Sequence, residues 1–69
     1  MTLGEYIKAK RKEVGYTQTT LADELGLDYR MVQRWESDRA TPHASYLVKL
    51  IKLLDLDIDT LDFIFDTNI

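Results

Sequence analysis

The sequence predicts a single all-α domain of five helices. Apolar residues recur at helical spacing along most of the chain, a hydroxyl or carboxylate side chain precedes most of these stretches, and Gly15 and Gly26 stand at the ends of two of them. The chain has 69 residues, which suits one domain, 1–69, with a thin core.

The segment TLGE at Thr2–Glu5 reads as a capping box, in which the Thr2 hydroxyl accepts from the Glu5 amide while Glu5 reaches back. Leu3, Ile7 and Val14 follow with Tyr6 beside them, and Gly15 ends a first helix at about 3–14. Thr17 caps a short second helix at about 18–25, with Leu21, Ala22 and Leu25 as its apolar stripe and Gly26 as its left-handed end. Thr20 stands where a Glu would complete a capping box, so none is expected there. Asp28 caps a third helix at about 29–37. Thr41 is the expected cap of a fourth at about 42–54, with Pro42 in its first position. Tyr46, Leu47, Leu50, Ile51 and Leu54 form its inner face.

The tail LLDLDIDTLDFIF is ambiguous by period alone. Leu54, Leu56 and Ile58 alternate with Asp55, Asp57 and Asp59, as in a strand. No second strand exists to pair with it, and Asp is a poor strand former. Asp55–Ile58 is therefore read as an extended connection, with Asp59 capping a fifth helix to about Phe65. Strand pairing between two copies of the chain is the alternative.

Composition narrows the function. The chain is 45% hydrophobic and 30% charged, ordinary for a soluble globular protein, and it has no cysteine for a disulfide or a thiolate metal site. The longest apolar run falls far short of the roughly 20 residues that span a bilayer, and the first residues lack a signal-peptide core. A cytoplasmic protein without membrane association is expected. His43 has no second histidine to share a metal. The aspartates near residue 55 lack the glycine and terminal Glu of a calcium loop. No nucleophile–base pair and no phosphate-cradling glycine loop is present, so neither a cofactor nor enzymatic activity is expected.

The net charge is −3, but the excess acid sits at one end. Residues 1–39 carry seven cations and seven acids, and residues 40–69 carry two lysines against five aspartates. A polyanion responds to the local patch more than to the total.

The third helix holds the strongest signal. With Tyr29 set at zero and about 100° per residue, Gln33, Arg30 and Arg34 fall within about 140° of it, while Met31, Trp35 and Val32 fill the opposite arc. An ordinary solvated face would mix Glu and Lys. This one carries the side chains that read base edges: Arg toward guanine, Gln toward adenine, and Tyr toward a phosphate or a thymine methyl. Trp35 lies on the apolar arc and is read as core rather than as a stacking platform.

A second helix of about eight residues, a glycine turn and an amphipathic third helix make a helix-turn-helix at about 17–37. The segment YTQTTLADELGLDYRMVQRWESDRATP resembles the phage repressor and Cro type of helix-turn-helix, the XRE family. Thr17-Gln18, Leu21-Ala22, Leu25-Gly26, Leu27, Asp28, Val32, Trp35-Glu36, Arg39 and Pro42 fall where the pattern places them, and the resemblance covers about residues 3–65.

The resemblance implies a lambda-repressor-like fold and a transcriptional regulator of double-stranded DNA, with Tyr29, Arg30, Gln33 and Arg34 reading bases. It implies phosphate contacts at Gln18 with Thr17 beside it, at Arg39 and at Thr41. It also implies a partly buried ion pair between Arg11 and Glu36. Three departures stand out. Asp38 replaces a common loop glycine, Asp55 replaces a helix-ending glycine, and Asp28 and Asp38 put negative charge near the expected phosphates. The acids favour weak or salt-sensitive binding.

The tail is a second candidate surface. Leu61, Phe63, Ile64, Phe65 and Ile69 are too many apolar residues for one side of a short helix. A homodimer contact through Phe63, Phe65 and Ile69, within 55–69, would cover the excess. The expected protein is a stand-alone repressor that occupies a pseudo-palindromic operator as a homodimer. The competing class is a protein-interaction module, such as an antitoxin that binds a toxin through the apolar tail.

Overall fold

The first helix, α1 (Leu3–Val14), starts at the expected capping box. The Thr2 hydroxyl accepts from the Glu5 amide at 3.1 Å, and the Glu5 carboxylate accepts from the Thr2 amide at 2.8 Å. Gly15 ends it at φ 102°. The computed structural model describes residues 1–67, with side chains through residue 66, so the expected dimer contact at Ile69 lies outside the described residues. Leu3, Tyr6, Ile7 and Arg11 form the inward face of α1, whereas Val14, at the helix's last position, is about half exposed.

The second helix, α2 (Gln18–Leu25), has the capping box that Thr20 was expected to preclude. The Thr20 hydroxyl accepts from the Thr17 amide at 2.8 Å while the Thr17 hydroxyl accepts from the Thr20 amide at 3.0 Å. A threonine hydroxyl reaches back as far as this cap requires, so the longer Glu is unnecessary. Gly26 closes α2 at φ 69°, and the Leu27 amide donates to Ala22 O at 2.9 Å. The third helix, α3 (Tyr29–Glu36), begins at Asp28 and gives way to a loop in which Asp38 takes φ 61°.

The fourth helix, α4 (Ala44–Leu54), starts two residues later than the sequence suggested. His43 is its N-cap residue and makes no side-chain cap, while Thr41 and Pro42 stay in the loop. Pro42 is buried, so its ring packs the loop onto the domain instead of opening the helix. Asp55 ends α4 at φ 53°, in the left-handed region expected of a glycine there. The fifth helix, α5 (Ile58–Thr67), is capped by Asp57 and not by Asp59. The Asp57 carboxylate accepts from the Thr60 hydroxyl at 2.8 Å and the Thr60 amide at 3.1 Å, which hold its carboxyl below the ordinary range. The Asp57 amide donates to the Tyr6 hydroxyl at 2.9 Å, tying the connection to α1. Residues 55–57 form the expected connection, with Ile58 already in α5, and no strand forms among the described residues.

Helix α1 packs against α3, α4 and α5, and α2 packs against α3. Ile7, Leu21, Val32, Leu50, Leu54 and Ile64 are fully buried where these helices meet. α1 and the end of α3 approach closely at Gly4. A Cβ there would lie 2.4 Å from Trp35 O and 2.7 Å from both Glu36 O and an Asp38 carboxylate oxygen. The Gly4 amide also donates to that carboxylate at 3.0 Å, and the Thr2 hydroxyl donates to its other oxygen at 2.6 Å. Helix propensity alone would make Gly4→Ala stabilising by roughly 0.5–1 kcal/mol. The clash with two backbone carbonyls should reverse the sign and give a net loss of about 1–3 kcal/mol in urea denaturation. A stabilised variant would contradict this close approach.

Candidate nucleic-acid interface

Val32 and Trp35 bury the inner side of α3, at 0% and 3% exposure. The Trp35 ring lies 5.9 Å from that of Tyr46 on α4, tilted by 45°. Leu27 is partly buried against the same core. Met31, read with the apolar arc, is 38% exposed at the rim of a groove lined by Leu27, Trp35, Ala40 and Tyr46.

Holding that inner side fixes the outer one. Tyr29, Arg30, Gln33 and Arg34 are all exposed. Tyr29 sits one turn before Gln33 and Arg30 one turn before Arg34, so the four share one face. Arg30 pairs with Asp28, Nε to Oδ1 at 3.1 Å. Hydrogen bonds from Arg30 hold the Asp28 carboxyl below its ordinary range. Arg34 and Arg39 make no ion pair among the described residues.

Behind this face lies the expected ion pair. Arg11 donates from Nε to Glu36 Oε2 at 2.6 Å and from Nη2 to Oε1 at 3.1 Å, and its Nη1 donates to Tyr16 O at 2.9 Å. Both residues are buried. Gln18 adds a third bond, from Nε2 to Glu36 Oε1 at 3.0 Å. One amide proton of Gln18 is thereby committed within the protein and the other is left over. Thr17 gives its hydroxyl to the α2 cap, whereas Thr41 is exposed beside Trp35.

A shallow concavity of about 650 Å³ joins these parts. Its lining includes Lys8, Gln18, Arg30, Gln33, Arg34 and Arg39. Glu36 also lines it, but Arg11 neutralises that carboxylate, so the uncompensated charge is positive. Lys8 is the residue that sequence reasoning missed. It precedes Arg11 by three positions, on the same side of α1. Once Arg11 is tied to Glu36, that spacing carries Lys8 to the edge of α3.

The tail residues do not form one surface. Phe63 is 65% exposed and Phe65 is 41% exposed, but two positions apart on a helix they face different sides. Phe65 borders a groove with Leu3, Trp35 and Thr41. No helix among the described residues is long and apolar enough to cross a membrane.

Comparison with known proteins agrees with this geometry. A family model described as helix-turn-helix matches residues 7–61. The chain is 33% identical over 61 residues to the cryptic phage CTXphi transcriptional repressor RstR of Vibrio cholerae, covering 88% of the chain and 54% of the repressor. It is 33% identical over 61 residues to the regulator ImmR of Bacillus subtilis, covering 88% of the chain and 48% of that protein. It is also 35% identical over 54 residues to the regulator DicA of Escherichia coli, covering 78% of the chain and 40% of that protein. The chain spans about half the length of the curated relatives it matches. With five helices among the described residues, a Gly26 turn and an outward polar face on α3, the chain belongs to the helix-turn-helix family of the phage repressor and Cro type, a family of DNA-binding transcriptional regulators.

Proposed function

We propose that this domain binds double-stranded operator DNA in the cytoplasm as a homodimer and represses transcription by occupying it. The observation that carries the proposal is the outer face of α3, where Tyr29, Arg30, Gln33 and Arg34 stand exposed over a buried Val32 and Trp35. In this reading α3 enters the major groove and those four side chains meet base edges. Gln18, Arg39 and Thr41 flank it against the phosphates, with Thr17 contributing through the α2 N-terminus it caps. Lys8 joins them from α1. A single such domain covers only ~600–1,000 Å² of contact, so a second copy is needed for tight binding. Phe63, the more exposed of the two α5 aromatics, offers apolar surface for that copy, with half-sites about 34 Å apart.

Selection from random-sequence duplexes at low salt tests the proposal. An enriched inverted repeat is expected. No retained DNA, together with capture of a protein partner through α5, would favour the interaction-module reading instead.

Two substitutions separate base reading from phosphate contact. Arg34→Ala should cost about 1–3 kcal/mol on the selected duplex and relax preference at one base position. Unchanged affinity and preference would remove Arg34 from the reading face. Arg39→Ala should weaken binding to all sequences alike and reduce the salt slope by about one. A loss confined to particular sequences would contradict the phosphate role.

A further inference from the structure

Asp28 does two things at the start of α3. Its Oδ1 accepts the Arg30 backbone amide at 2.9 Å, which caps the helix. The same carboxylate then grips the Arg30 side chain, Oδ1 accepting from Nε at 3.1 Å and Oδ2 from Nη2 at 3.2 Å. A guanidinium carries five N–H donors in a planar fork and can present two parallel pairs of them. Asp28 occupies the pair along the side of the group. The pair at its end, one N–H from Nη1 and one from Nη2, is left over. That pair matches the O6 and N7 acceptors of guanine in the major groove.

The two side chains are 73% and 55% exposed, so their attraction adds little to stability in water. Its effect is on what Arg30 can bind. A free arginine at the edge of α3 would be drawn to the nearest phosphate. A neutralised arginine has little net attraction for phosphate but keeps its directional donors. Fixing the side chain beforehand also removes part of the ordering cost of contact. When DNA displaces water from this edge, the local dielectric falls and the grip tightens.

We propose that Asp28 is a specificity-determining positioning residue, which holds Arg30 with its end donors outward for a guanine and keeps it off the phosphates. This rests on the reading of α3 as the DNA-reading helix. It gives the acid a use at a place where negative charge otherwise only opposes binding.

The test compares the unmodified protein with Asp28→Asn and Arg30→Ala. Each is measured over a range of salt on the selected duplex, on single-position variants of it, and on an unrelated duplex. Asn caps a helix about as well as Asp, so the fold should be kept, which a thermal midpoint checks. Arg30→Ala should relax preference at one guanine. Asp28→Asn should relax the same guanine by on the order of tenfold. It should also tighten binding to the unrelated duplex several-fold and steepen the salt slope by about 0.9, the value of one added phosphate contact. A capping role alone would move neither the guanine preference nor the salt slope. If Arg30→Ala relaxes a guanine while Asp28→Asn leaves preference and slope unchanged, the positioning role is overturned and the α3 reading stands. If Arg30→Ala changes no preference, Arg30 is not a base reader and the role of Asp28 is overturned with it. A protein that selects no sequence overturns the parent reading as well.

Discussion

Replacing Glu36 with leucine should cost about 3–5 kcal/mol, because it leaves the Arg11 guanidinium buried without its counter-charge. A domain below about 70–80 residues rarely has more than roughly 3–5 kcal/mol in hand, so Glu36→Leu should be largely unfolded at room temperature. Glu36 accepts three hydrogen bonds, two from Arg11 and one from Gln18. After the substitution Arg11 keeps only its bond to Tyr16 O. The companion experiment is the double variant Arg11→Met, Glu36→Leu. Removing both charges from a buried site is often neutral, so most of the lost stability should return. DNA affinity should return less fully, since Gln18 loses the carboxylate that orients its amide. Urea denaturation of the two singles and the double decides it. A Glu36→Leu variant that loses under about 1 kcal/mol would mean the pair behaves as a solvated one.

Trp35→Ala should be comparably damaging, at about 3–5 kcal/mol. The ring is 3% exposed and leans on Tyr46, so it joins α3 to α4. Its backbone carbonyl faces Gly4, so the same residue also sets how closely α1 approaches. Trp35→Phe keeps most of the apolar volume and should cost distinctly less. Far-UV circular dichroism should follow the unfolding, because these variants remove the only tryptophan fluorophore. An unchanged denaturation midpoint for Trp35→Ala would show that the inner side of α3 is not what holds its outer side in place.

Helix existence was legible from local chemistry. Thr2 with Glu5, Thr17 and Asp28 each cap a helix start through residues within a few positions, and Gly26 ends α2, so sequence spacing carries the information. What was misread depended on choices that spacing leaves open. Thr41 and Asp59 are as good in principle as any cap, but burial of Pro42 and the Thr60 bonds to Asp57 decided against them. The alternating apolar–acid run looked like a strand because Leu54 ends one helix, Leu56 lies between two, and Ile58 starts the next.

The exposed polar face of α3 was visible because all four of its residues lie on one helix. Long-range pairings were visible only in part. The family resemblance implied Arg11 with Glu36, but nothing local announced Asp38 bonding the start of α1 or Gly4 meeting two carbonyls of α3. Lys8 was missed for the same reason, since its place beside α3 follows from packing rather than from its own helix.

In the proposed function, packing of Val32 and Trp35 turns Tyr29, Arg30, Gln33 and Arg34 outward as one rigid DNA-reading surface. Titrating isotope-labelled protein with a short duplex at low salt, and following amide and arginine side-chain resonances by NMR, tests it most directly. The largest shifts are expected on α3 from Tyr29 to Arg34, with smaller ones at Lys8, Gln18 and Arg39. Shifts centred on Phe63 and Phe65 while the α3 side chains stay unmoved would contradict it.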